Sequence, residues 1–216
     1  MIKNILFTLF VCFMLVGCKT NKPSSNYYPL APIDSIPNMP ILVVDNNVPI
    51  LDSDKVEEMI RQYVGVEWYA EDQKYFIPTR ENMEVIVSYL DQVFKKFGIH
   101  YIAEGTDCDD FARLKTSLSK LILSQTYDLK ASPAIFTIFV RQKFMWASVP
   151  AGGSHALIAY ACIDENREMK IFVWEPQSSD IISAESYPNK KYLFYVGNER
   201  FEKSDLKDES SSPLLP

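Results

Sequence analysis

Histidine and cysteine are scarce in this chain. Two histidines, His100 and His155, occur among 216 residues, with four cysteines, Cys12, Cys18, Cys108 and Cys162. Chemistry that needs an imidazole near neutral pH is thereby confined to two positions. Basic residues are in the minority as well: 22 Lys and Arg stand against 28 Asp and Glu, for a net charge of −6 and a sequence pI near 5.0. They form no basic stripe, which argues against a nucleic-acid binder, because neutralising phosphates takes clustered Lys and Arg. A spanning hydrophobic run is missing too. "ILFTLFVCFMLV", Ile5 to Val16, falls short of the roughly 20 apolar residues that an ordinary membrane helix needs. No internal repeat is visible.

What is present begins with a targeting element. Lys3 supplies a positive start, the apolar run follows, and "LVGC" (Leu15 to Cys18) resembles a bacterial lipobox. By that resemblance residues 1–17 are a signal peptide and Cys18 is the lipidated first residue of the mature protein; the alternatives are an uncleaved anchor or a plain signal peptide. Acyl chains hold a protein at a membrane surface rather than across it. Lys19 is not the Asp of an inner-membrane retention signal, so the expected location is the envelope, on the outer membrane facing the periplasm if the cell is Gram-negative. Residues 18–40, rich in Pro, Ser and Asn, read as a flexible tether. Residues 41–197 read as a single domain, and 198–216 as a disordered polar tail.

Within the domain, "ILVV" (41–44) is a strand candidate and "DSD" caps a helix over 55–64. "KYFIP" (74–78) reads as a break. Thr79 then caps a helix whose stripe is Met83, Ile86, Leu90, Val93, Phe94 and Phe97, stopped by Gly98. A further helix covers 108–123, with Phe111, Leu114, Leu118, Leu121 and Ile122 as its apolar stripe. Strands are expected at 134–140, 155–163, 169–176 and 190–196, paired antiparallel. N-terminal helices packed on a C-terminal antiparallel β-sheet make the fold class α+β.

The chemistry gathers at three residues. Cys108 opens a helix in "GTDCDDFARL", where unpaired N–H groups and the helix dipole favour an anion. Asp107 is a natural cap, with Asp110 three residues on echoing a capping box. The flanking carboxylates oppose a thiolate, and the helix terminus supplies only about 0.3–1 kcal/mol, so a nucleophilic Cys108 needs a cationic partner. His155 opens the most apolar strand, after "PAGGS", where Gly152 and Gly153 permit tight geometry or close approach of a substrate. Glu175, in "VWEPQ", is a carboxylate in an otherwise apolar strand and calls for a partner. In a hairpin, Glu175 at one strand end meets His155 at the start of its neighbour and can orient the imidazole. Cys162 alternates onto the other face, at the far end of the strand, and reads as core; a Cys108–Cys162 disulfide is the competing reading.

The order helix-start Cys, strand-start His and strand-end acid resembles the transglutaminase-like branch of the papain-like cysteine enzymes. The matching stretches are "GTDCDDFARL", "GGSHALIAY" and "FVWEPQ", over about 105–177. The resemblance implies Cys108 as nucleophile, His155 as general base and Glu175 as orienting acid, with Glu where that family usually has Asp. The oxyanion donors implied are the Cys108 backbone N–H and a partner among Trp68, Tyr69 and Tyr101. Asp109, Trp146, Gly153 and Gln177 are candidates to line the substrate. "DCDDFA" also loosely resembles peptidoglycan peptidases with an Asp-Cys-Ser-Gly motif, but lacks the Ser-Gly. No cofactor and no metal are expected. Asp107, Asp109 and Asp110 lack the later Gly and Glu of a calcium loop, and zinc at Cys108, His155 and an Asp is the remaining metal reading. The expected activity is a membrane-tethered cysteine hydrolase or acyltransferase acting on an amide of a protein or cell-wall peptide. The alternative is a non-catalytic envelope lipoprotein that binds a protein or glycan.

Overall fold

The computed structural model describes residues 37–45, 47–62, 72–100 and 107–196. The expectations for the signal peptide, Cys18, Trp68, Tyr69, Tyr101 and the tail fall outside them, as does most of the tether. Among the described residues are three α-helices: α1 (Ser53–Arg61), α2 (Arg80–Lys96) and α3 (Cys108–Tyr127). There are eight strands: β1 (Ile50–Asp52), β2 (Lys74–Phe76), β3 (Ser132–Pro133), β4 (Ile135–Arg141), β5 (Ser154–Ile163), β6 (Met169–Trp174), β7 (Ile181–Ser183) and β8 (Leu193–Val196). Five form an antiparallel sheet in the order β7-β6-β5-β4-β8; the other three form a small mixed sheet in which β2 pairs antiparallel to β1 and parallel to β3. The architecture is α+β. No helix among the described residues is long and apolar enough to cross a membrane.

β5 is the centre of the large sheet and is buried along almost its whole length. Ala156, Ile158, Tyr160 and Cys162 join one apolar core with α2 and α3, while Leu157, Ala159 and Ala161 join another with Val56 and Ile60 of α1. Cover on both faces is why β4 and β5 are continuous apolar runs rather than alternating ones. Helix α2 begins where the Thr79 hydroxyl accepts from the Asn82 N–H at 3.3 Å. It ends in a Schellman turn: Gly98 takes φ +65°, and the Ile99 N–H donates to the Phe94 carbonyl at 2.9 Å.

Several expectations are corrected. Residues 41–44 are not a strand, because the Val43 backbone bonds to the side-chain amide of Asn82 instead of a neighbouring chain. "KYF" is β2 rather than a break. The first helix runs 53–61, α3 extends to Tyr127, and the last strand starts at Leu193 after a 3₁₀ turn. The face that α3 buries is also rotated from the expected stripe. Lys115, Thr116 and Ser119 are buried while Leu114 and Leu121 are only half-buried. The helix packs against both α2 and the sheet, and two of the polar groups on its wider buried arc find partners: Lys115 meets Asp91, and the Thr137 hydroxyl donates to that of Thr116 at 3.2 Å.

Candidate active site

Strand ends position the acid and the imidazole. β5 and β6 pair with Ile158 opposite Trp174. Continuing that register by one residue sets Glu175 across from Leu157, one diagonal step from His155 on the same face. A diagonal neighbour is farther than a direct one, which suits the longer reach of Glu over Asp. His155 Nε2 and Glu175 Oε2 lie 2.5 Å apart. The other carboxylate oxygen, Oε1, accepts the Gln177 N–H at 3.0 Å. Glu175 is fully buried, and these two partners satisfy both of its carboxyl oxygens.

Cys108 completes the group from the first turn of α3. Its half-buried thiol lies close enough to the His155 ring to favour the ring's charged form. With Nε2 engaged by the carboxylate, Nδ1 is the nitrogen left for sulfur. Helix α3 packs on the Ala156 and Ile158 face, whereas alternation gives His155 to the Leu157 face. The thiol therefore reaches the imidazole around the end of the sheet, where β5 starts. Burial of the ring opposes its charge, but its interactions with Cys108 and Glu175 outweigh burial and lift the imidazole to about 9. At neutral pH the ring is an imidazolium set between sulfur and a carboxylate.

The aspartates form a second charged group at the same helix start. Asp107, Asp109 and Asp110 each offer an oxygen within 4.8 Å of the others. A hydrogen bond to the Asp107 carboxyl, with burial and the nearby negative charge, pushes Asp109 up to about 6, despite Arg113 at 3.5 Å. Asp107 is held below its ordinary range by that same bond and by the Asp109 and Asp110 N–H groups that face it. It occupies the N-cap position without closing a capping hydrogen bond.

The remaining candidates are placed as follows. Trp146 packs edge-on against Tyr187, 5.1 Å between centroids, and so belongs to loop packing. Gly153 has room for a side chain and an ordinary φ; it is Gly152, at φ +114°, whose conformation needs glycine. Gln177 is exposed and touches Glu175 through its backbone. His100 is exposed, its Nδ1 2.6 Å from the Gly98 carbonyl. It lines a cavity of about 420 Å³ together with Phe111, Lys115 and Gln177. Cys108 and Cys162 are both free thiols. Cys162 is fully buried and shares the helix-side core with Cys108, so length along β5, roughly 23 Å at 3.3 Å per residue from His155, separates it from the site. Lys115 was missed; its signal is a lysine seven residues after Cys108, on the same side of the helix.

No protein-family model matches the chain, and no curated protein matches it. Among solved structures, the fold is similar to a lectin from Polyporus squamosus, solved bound to the human-type influenza-binding epitope Neu5Aca2-6Galb1-4GlcNAc. The match covers 69% of this chain and 49% of the lectin chain, at 16% identity and a TM-score of 0.52. The chain thus spans about half the length of that lectin, and the likeness is one of fold alone.

Proposed function

We propose that this protein is a cysteine hydrolase or acyltransferase of the transglutaminase-like, papain-like type, acting on an amide bond of a protein or cell-wall peptide and tethered to the envelope through an acylated Cys18. The observation that carries the reading is the His155 ring held between the Cys108 thiol and the buried Glu175 carboxylate. Helices that precede an antiparallel sheet, with the cysteine at a helix start and the histidine at a strand start, agree with it.

In the reaction, the Cys108 sulfur bonds to the amide carbonyl carbon and the carbonyl oxygen takes the negative charge. The Cys108 backbone N–H, outside the hydrogen-bond ladder of α3, is a donor for that oxygen. The tetrahedral species collapses, the C–N bond breaks, and the amine leaves with the proton from imidazolium Nδ1. Neutral His155 then takes a proton from water, or from an acceptor amine, as it attacks the thioester. The acid or new amide departs and the Cys108 sulfur is regenerated. Glu175 holds the ring in place and steadies its charge throughout.

The test is mass spectrometry of protein and peptidoglycan-peptide mixtures incubated with the protein. The wild type should release new amines that a folded Cys108→Ser variant does not. If the two forms act alike on every amide, the proposal is wrong and a non-catalytic envelope binder is the better account.

A further inference from the structure

Lys115 lies two turns along α3 from Cys108, with 2% of its side chain exposed, and the triad does not use it. A buried ammonium needs partners. Its Nζ is 2.5 Å from Oδ1 of Asp91 on α2, and 5.1 and 5.2 Å from the ring centroids of Phe94 and Trp174. Trp174 directly precedes Glu175. The second oxygen of Asp91 accepts from the Ser179 hydroxyl. Ser179 closes the turn that carries the acid: its N–H donates to the Glu175 carbonyl at 2.8 Å, and the Glu175 N–H donates to the Asp180 carbonyl at 2.9 Å. Ser179 also stands at φ +66°, a backbone conformation disfavoured for a residue with a Cβ, so an outside contact must help to hold it.

We infer that Lys115, Asp91 and Ser179 form a positioning bridge that fixes the Glu175 turn against the helix bearing Cys108, keeping carboxylate, imidazole and thiol in line. The inference rests on the triad reading above. Three separate segments meet in it, and a displacement on the order of 1 Å would spoil the alignment of the Glu175–His155 bond.

The experiment follows the His155 ring by NMR titration of the full chain, assigned with His100→Gln, together with the rate at which iodoacetamide labels Cys108. Ser179→Gly removes the hydroxyl while relieving the left-handed conformation, so it should fold with a thermal midpoint near that of wild type. The titration midpoint of His155 should drop by about one pH unit, and labelling should slow about tenfold, the same 1.36 kcal/mol per decade. Ser179→Asn, which tolerates the left-handed region and offers a side-chain N–H to Asp91, should restore both. A bridge that only supports the fold would change the thermal midpoint and leave the His155 titration alone. Ser179→Gly with wild-type titration and labelling overturns the bridge while leaving the triad standing. A wild-type His155 that titrates near 6.5 overturns the triad reading, and the bridge with it.

Discussion

Cys108 and Cys162 contact the same helix-side core, one beside the start of β5 and the other near its end. Around Cys162, burial dominates: no imidazole is near, and desolvation pushes the thiol up to about 12 even though Arg80 opposes it. The polar groups at that end, Arg80, Glu84, Asp164 and Arg167, line a cavity of about 700 Å³, larger than the one lined by Phe111, Lys115 and Gln177. Around Cys108 there is less burial, and the imidazole of His155, raised to about 9, is near the thiol. Cavity size and shared core therefore do not separate the two thiols. The partner does: Cys162 is buried with no imidazole beside it, whereas Cys108 is half-buried beside the raised imidazole of His155.

The comparison breaks most sharply if the partner is removed. His155→Ala should slow alkylation of Cys108 about a hundredfold at pH 7 and leave the slow labelling of Cys162 unchanged, as read by mass spectrometry of the modified peptides.

Next is the pH dependence of stability. The His155 value in the folded state lies above its unfolded value of 6.5, so its contribution is fully present below pH 6.5 and is lost as pH rises through about 9. The loss should be on the order of 3 kcal/mol in urea unfolding. Cys162 adds a further loss only above about pH 9, where the unfolded thiol ionises and the folded one stays neutral. Cys162→Ala should remove that upper part and keep the lower.

The smallest effect is expected at Asp109. Its folded value, about 6, is above the ordinary 3.8, so the folded state holds the proton more tightly and stability falls as pH rises from about 4 to 6. Asp109→Asn should stabilise the protein above pH 6 by less than about 1 kcal/mol, given its solvent exposure, and change nothing near pH 4. Thermal unfolding at the two pH values measures both arms.

The proximity of Cys108, His155 and Glu175 was legible because candidates were so few. Two histidines and, within the domain, two cysteines left little to choose from, and strand alternation with a hairpin register was enough to bring Glu175 toward His155. The stripe on α3 was misjudged because hydropathy counts Lys115, Thr116 and Ser119 as solvent-facing. Each side chain's burial depends on contacts from other segments, and Asp91, 24 residues away, is one of them. The small sheet escaped notice for a related reason. Its strands are two or three residues long, too short to show a period, and one pairing brings β2 and β3 together across more than 50 residues of chain. Trp146 and Gly153 were chosen for lying near His155 in sequence, and one turned toward Tyr187 while the other proved an unconstrained position.

The central claim is that the imidazolium of His155 makes Cys108 a nucleophile. The most direct measurement is competitive alkylation of the native protein at pH 6.5, with both thiol peptides quantified over time. The account predicts that Cys108 is modified at least a hundred times faster than Cys162, and that unfolding in urea abolishes the difference. Equal, slow labelling of the two thiols in the native protein would contradict it.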